Sequence, residues 1–132
     1  MMLNTFSLYL FGGTGDLATR KLLPAMFRQE ILSSFDEGSE IVGVGSKEIS
    51  NEDYIAIVKK SLAEYFHGFD DHEESWQTFS KRLRYLKLDI NSEEDWNKFE
   101  KLPEDRSVIL YLATPPFLYQ TISNNLKSYN LV

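Results

Sequence analysis

The residues with the most evident chemistry stand in one run, Gly12-Gly13-Thr14-Gly15-Asp16-Leu17-Ala18. Gly13, Gly15 and Ala18 satisfy the pattern G-x-G-x-x-A, which binds dinucleotides when it joins a strand to a helix. The glycines permit a tight turn and let backbone N–H groups approach a pyrophosphate, while alanine lets the helix pack closely on the strand. The free donors and dipole at the helix N-terminus favour the anion. No Gly-Lys-Ser/Thr follows, so the run is not a mononucleotide P-loop. A second position of interest is Gly45-Ser46-Lys47-Glu48. Ser46 and Lys47 offer a hydroxyl and a cation to a ribose 2′-phosphate; Glu48, with the register moved by two, would hold a 2′-hydroxyl instead. The balance favours NADP, with NAD as the alternative. Asp89-Ile90 and Ala113-Thr114-Pro115-Pro116 are placed to flank an adenine and to wall the diphosphate and nicotinamide ribose, although Asp89 taken alone reads more readily as a cap on the helix that follows it than as a ligand.

These residues need elements to hold them at one end of a sheet. Residues 5–11 are apolar, aromatic-rich and stopped by glycine, as a buried strand is. The pattern turns helical over 16–33, interrupted by Pro24, which removes a donor and forces a kink or a restart. Residues 40–45 form a second strand, and Ser50 or Asn51 caps a helix running to about residue 66. Further helical pieces are expected over 74–83 and, with Ser92 as cap and Asp95 completing a capping-box-like pattern, over 92–99. Strands fall at 84–90 and 107–113, and a last amphipathic helix covers 117–129. The order β-α-β-α-α-β-α-β-α predicts an α/β, Rossmann-like, doubly wound parallel sheet with helices on both faces. It stops where such a sheet would add its later strands.

Composition narrows the function classes. The 132 residues carry 20 acidic and 14 basic side chains, a formal charge of −6. That length suits one domain, and that sign speaks against a broad nucleic-acid surface. No apolar run is long enough to cross a bilayer and the start does not read as a secretory signal, so a cytoplasmic protein is expected. With no cysteine, thiolate chemistry and cysteine metal sites are excluded, and no metal site is expected. Arg20, Lys21 and Arg28 make the first thirty residues locally positive, whereas Asp70, Asp71, Glu73 and Glu74 read as a solvated acidic stretch. His67 and His72 fall in that same stretch and are expected to be exposed.

The run from Phe11 to Pro24, with Gly-x-x-Gly-Asp-Leu-Ala, the basic pair Arg20-Lys21 and then Leu22-Leu23-Pro24, resembles the coenzyme domain of the glucose-6-phosphate dehydrogenase family. Ile41-Val42-Gly43-Val44-Gly45, Leu88-Asp89-Ile90 and Tyr111-Leu112-Ala113-Thr114-Pro115-Pro116 through Tyr119 continue the likeness in order and spacing. The resemblance implies oxidation of glucose 6-phosphate to 6-phosphogluconolactone, the entry to the oxidative pentose phosphate route. Hydride passes to NADP while a histidine base takes the hydroxyl proton.

By motif match it places Gly12 to Ala18 on the diphosphate and Lys21 at the reacting sugar and nicotinamide. Asp89, Ile90, Pro115, Pro116 and Tyr119 fall on the coenzyme side. Where that family usually has an arginine for the 2′-phosphate, this chain has Ser46, with Lys47 next to it; lysine lacks the planar fork of arginine, so use of NAD as well is expected. The family's Glu-Lys-Pro segment, its His-containing substrate motif and its C-terminal substrate and dimerisation domain do not occur within residues 1–132. The expectation is therefore a dinucleotide-binding domain, inactive alone, whose full-length relatives form homo-oligomers and bind glucose 6-phosphate. Two alternatives share the glycine turn. One is a short-chain-dehydrogenase-like enzyme, which would need a third glycine at Ala18 and a Tyr-x-x-x-Lys pair; the other is a self-contained NAD(P)-sensing module.

Overall fold

A computed structural model describes residues 5–131. Four parallel strands, β1 (Phe6–Phe11), β2 (Glu40–Gly45), β3 (Leu83–Lys87) and β4 (Ser107–Leu112), lie in the order β3-β2-β1-β4. The helices are α1 (Leu23–Ser33), α2 (Asn51–Tyr65), α3 (Glu73–Ser80), α4 (Glu93–Lys98) and α5 (Tyr119–Ser128). Parallel neighbours need crossovers, and these place α1, α2 and α3 on one face and α4 and α5 on the other. The expected doubly wound α/β sheet is what forms.

The pleat sorts the side chains. Leu83, Ile41, Leu8 and Ile109 align across the sheet and face the first set of helices. Their neighbours Arg84, Val42, Tyr9 and Leu110 align toward the second. The first core gathers Leu8, Leu10, Phe27, Tyr54, Val58, Leu62 and Phe79; the second gathers Tyr9, Phe11, Val42, Val44, Trp96, Ile122 and Leu126. β4 is an edge of this sheet, and on its first face Ile109 and Tyr111 are exposed.

Pro24 behaves as its chemistry requires. Helical residues begin at Asp16, pass through a π-turn at Ala18–Leu22 and restart as α1, with Pro24 in the first turn. The Leu23 N–H reaches back to the Ala18 carbonyl, a wider bond that accommodates the ring and the missing donor of the next residue.

Several boundaries differ from those read in the sequence. The helix expected over 74–83 ends at Ser80, because Arg82 turns inward. Its guanidinium meets Glu30 at 2.6 Å and donates to the carbonyls of Phe35, Asp36 and Ser39. β3 closes at Lys87 rather than residue 90: the Leu88 N–H still donates to the Gly45 carbonyl, but the Asp89 N–H leaves the sheet for the Asp95 carboxylate. The last helix is preceded by a 3-10 turn, Pro116–Leu118. Ser50, not Asn51, caps α2, and it does so in a full capping box with Asp53. At α4 only half the box forms: Ser92 accepts from the Asp95 N–H, while the Asp95 side chain serves Asp89 and Lys87. His72 is not an exposed loop residue; it is half-buried, edge-on to Phe27 and Phe66, whereas His67 is exposed. Among the described residues no helix is long and apolar enough to cross a membrane.

Candidate functional site

The glycine turn is fixed from below. Gly12 has φ +85°, and a Cβ there would lie 2.6 Å from the Ala113 carbonyl oxygen, so only glycine joins β1 to the helix at this point. The N–H groups of Gly12 and Gly13 both donate to the Val44 carbonyl, at 2.8 and 3.1 Å. Gly13 is buried, and the phenol of Tyr54 donates to its carbonyl at 3.1 Å. That ring lies over Gly43, where a Cβ would come within 2.3 Å of it. Burial keeps the Tyr54 phenol far above its ordinary pKa, so the donor is permanent.

Gly15 is different. Its nearest neighbour is the Gly12 carbonyl oxygen, 3.2 Å from a built Cβ, and no other atom lies within contact distance. The Thr19 N–H and hydroxyl both donate to the Gly15 carbonyl, at 3.0 and 2.9 Å, which makes Gly15 the residue from which the helix starts. The N–H groups of Thr14, Asp16 and Leu17 meet no acceptor among the described residues. Three donors at a helix start, beside a glycine with open space in front of it, form a concave anion-binding surface.

That surface floors a cleft of about 530 Å³ at the carboxyl ends of the strands. Gly12, Thr14 and Gly15 line it from β1, and Gly45 and Ser46 from β2. Asp89, Ile90 and Asn91 come from the loop after β3; Ala113, Thr114 and Pro115 come from the loop after β4. Phe117 and Leu118 close the side toward α5. The β3 loop is held by its own polar contacts. The Asp89 carboxylate accepts from the Asn91 N–H at 2.9 Å, and its N–H donates to Asp95 at 2.8 Å. Lys87, 2.9 Å from the Asp95 carboxylate, holds that group below the usual carboxylate range, and the Asp89 N–H adds to the effect. The hydroxyl of Thr114 is buried in the cleft wall and has no hydrogen-bond partner among the described residues.

Of the residues singled out in the sequence, Gly12, Thr14, Gly15, Ser46, Asp89, Ile90, Ala113 and Pro115 meet in this cleft. Gly13 and Ala18 lie beneath it, both buried, and support rather than line it. Asp16 and Leu17 present their N–H groups while their side chains are exposed; Asp16 pairs with Arg20 at 3.3 Å. Lys21 and Lys47 are exposed and outside the lining, as are Pro116 and Tyr119. Asn91 was not singled out, and Phe117 and Leu118 entered only within the run that continues the family likeness, with no role given; Thr114 was placed in the wall, but not its orphaned hydroxyl. The strand-end position of Thr114 was legible, but its lack of a partner is a property of packing.

Residues 9–132 match the family model described as "Glucose-6-phosphate dehydrogenase, NAD binding domain". The chain belongs to that family. It is 34% identical over 130 residues to the glucose-6-phosphate 1-dehydrogenase of Rhizobium meliloti (strain 1021), covering 96% of this chain and 26% of the relative. It is also 34% identical over 128 residues to that of Buchnera aphidicola subsp. Baizongia pistaciae (strain Bp), again covering 96% and 26%. Among solved structures, glucose-6-phosphate 1-dehydrogenase from Mycobacterium avium superposes with a TM-score of 0.85 at 28% identity, over 98% of this chain and 28% of that one. The chain thus spans about a quarter of the length of the relatives it matches.

The glucose-6-phosphate dehydrogenase family assignment gives the cleft a dinucleotide to test against. Open space at Gly15 and three N–H groups with no acceptor among the described residues are what a diphosphate requires. The residues present fit the group.

Proposed function

We propose that this chain is the coenzyme-binding unit of a cytoplasmic glucose-6-phosphate dehydrogenase, and that it takes NADP in preference to NAD. The observation that carries the reading is the turn at Gly15, which offers N–H donors with no acceptor to a cleft that no neighbouring side chain fills. Bound NADP supplies the nicotinamide that accepts hydride from the sugar's C1. The chain's own residues bind and orient. The Thr14, Asp16 and Leu17 N–H groups hold diphosphate oxygens, and Ala18 brings the helix close enough to do so. Ser46 and Lys47 receive the 2′-phosphate, one as donor and the other as mobile cation. Asp89 and Ile90 flank the adenine, while Ala113, Thr114 and Pro115 wall the ribose on the other side and Pro116, just outside the lining, stiffens the loop that carries them. Lys21, on the exposed side of the π-turn, is assigned to the substrate and nicotinamide, and Tyr119, at the start of α5, to the coenzyme side. Neither His67 nor His72 lines the cleft, so neither is given the task of removing the hydroxyl proton. Glucose 6-phosphate and self-association are assigned to the whole enzyme, on the likeness to its relatives.

Calorimetric titration of the chain with NADP⁺ and, separately, with NAD⁺ tests this. Saturable binding of both, tighter for NADP⁺, is expected. A chain that melts cooperatively yet binds neither overturns the assignment of the cleft.

A further inference from the structure

The two loops of the cleft rest on a pair of tyrosines that the reading above leaves without a role. Tyr54, from α2, and Tyr85, from β3, are both buried, with ring centroids 5.3 Å apart and planes at 40°. Each ends on a backbone carbonyl of a different loop. The Tyr54 hydroxyl donates to Gly13 in the glycine turn; the Tyr85 hydroxyl donates to Lys47 at 2.8 Å. The backbone above each ring has been kept bare to allow it. A Cβ on Gly43 would strike Tyr54, and one on Gly45 would lie 2.8 Å from the Tyr85 oxygen. Tyr85 is itself pinned, since its N–H donates to the Asn51 side chain at 2.7 Å in the first turn of α2. A phenylalanine would fill the same core. The hydroxyl is required only by the loop.

Ser46 and Lys47 are exposed and follow a strand that ends at Gly45. Among the described residues, the Tyr85 phenol is the side chain that fixes the Lys47 main chain. We propose that Tyr85 is a positioning residue for coenzyme selectivity: through the Lys47 carbonyl it sets the loop that presents Ser46 and Lys47 to the 2′-phosphate, while Tyr54 sets the turn that serves the diphosphate common to both coenzymes. This rests on the dinucleotide reading of the cleft. The division of labour makes the two hydroxyls separable. Losing the one under Lys47 affects only the ligand that carries a 2′-phosphate; losing the one under Gly13 affects both ligands alike.

The test is calorimetric titration of the full chain, as wild type, Tyr85→Phe and Tyr54→Phe, with NADP⁺ and NAD⁺. A lost loop hydrogen bond at Tyr85→Phe is expected to weaken NADP⁺ about 3- to 10-fold and leave NAD⁺ within about 2-fold. Tyr54→Phe is expected to weaken both by the same factor. Amide exchange at Lys47 and Glu48 should quicken in Tyr85→Phe alone. Gly45→Ala reaches the same phenol from the other side and should reproduce the selectivity loss, should Tyr85→Phe fail to fold. An unchanged NADP⁺ to NAD⁺ ratio in Tyr85→Phe, as a purely structural tyrosine would give, overturns the inference and leaves the cleft assignment standing. So does a wild-type chain that binds both coenzymes equally. A folded wild type that binds neither overturns the cleft assignment and the inference together.

Discussion

Two glycines three residues apart in one turn should fail in opposite ways. At Gly15 the backbone is in an ordinary region and a Cβ meets only the Gly12 carbonyl oxygen, at 3.2 Å. Valine there is tolerated by the fold, at a cost of up to about 1 kcal/mol for a poor residue at a helix start. Its methyls stand in the cleft, between the ligand and the Thr14, Asp16 and Leu17 donors. A hydrogen bond from a neutral donor to a charged oxygen contributes about 1.5–3 kcal/mol, so losing two removes about 3–6 kcal/mol and at least about 100-fold in affinity. At Gly12 the situation inverts. Alanine would sit at φ +85° with its Cβ 2.6 Å from the Ala113 oxygen, a backbone atom that cannot swing away. The left-handed conformation alone costs about 1–2 kcal/mol, and the clash brings the loss to about 2–4 kcal/mol. At roughly 3–5 °C per kcal/mol for a domain of this size, Gly12→Ala should melt about 6 °C or more below wild type. Gly15→Val should melt within about 5 °C of it. Thermal melting by circular dichroism, paired with NADP⁺ titration of each variant, separates them. A folded Gly15→Val variant that binds NADP⁺ within about threefold of wild type refutes the site, and a Gly12→Ala variant as stable as wild type refutes the account of the turn.

Lys47→Ala should weaken NADP⁺ about fivefold and NAD⁺ hardly at all, the size of one exposed phosphate contact; equal losses measured by calorimetry would remove Lys47 from that role. Breaking the buried pair at α1 should be costly: Arg82→Met takes the guanidinium away from the buried Glu30 carboxylate and from three carbonyls, and urea unfolding should show a loss of about 3–5 kcal/mol. A third expectation concerns acid. Burial pushes the Glu40 and Glu100 carboxyls up, but hydrogen bonds from Arg84, with help from Ser7 and Tyr9, outweigh it and leave both below the ordinary value of 4.5. Groups lowered on folding stabilise the native state above their unfolded pKa and lose that contribution as pH falls through the folded value. The melting temperature should therefore hold from pH 7 to about pH 5 and drop below about 4.5, more steeply in wild type than in Glu100→Gln; identical acid limbs would exclude the network as the cause.

Much of this was legible because it depends on local pattern. β1 and β2 declare themselves as short apolar runs stopped at glycine, β3 by its alternation and β4 as an apolar run stopped before two prolines, and the alternation with helices leaves a parallel sheet as the economical solution. The glycine turn was legible as a tight strand-to-helix turn, since Gly12, Gly15 and Ala18 have roles fixed by the absence or smallness of a side chain. Pro24 announced a break, though not that a π-turn would absorb it. What the sequence could not show was long-range pairing. Arg82 reads as the end of a helix and Arg84 as the start of an ordinary alternating strand, yet one pairs with Glu30 and the other with Glu40 and Glu100. Tyr54 and Tyr85 look like core aromatics at helical and strand spacing. Only the fold reveals that each ring reaches a carbonyl of a different loop. Asp95 was read as closing a capping box because nothing local signals that Lys87 and Asp89 compete for it.

The placement of these polar groups explains how one sheet can be both rigid and receptive. At the start of the strands, charged and hydroxyl groups are satisfied by one another: Ser7 donates to Glu40, Arg84 bridges Glu40 and Glu100, Tyr9 donates to Glu100, and Arg82 uses Glu30 and the loop after α1. At the carboxyl ends the arrangement is reversed, with donors at Thr14, Asp16 and Leu17 and the Thr114 hydroxyl left unmet, on a surface bare of side chains at Gly12 and Gly15. An unpaired polar group costs stability only where water or a ligand cannot reach it. The unmet donors of the glycine turn face a cleft where a dinucleotide would satisfy them, and the two tyrosines support its two loops from the dry side. Loosening the strand-start network should therefore lower the melting temperature without altering coenzyme preference, whereas altering Tyr85 should do the reverse. The same pair of measurements, melting and the NADP⁺ to NAD⁺ ratio, made on Glu100→Gln and on Tyr85→Phe, decides whether the two ends of the sheet are as independent as their hydrogen bonds make them.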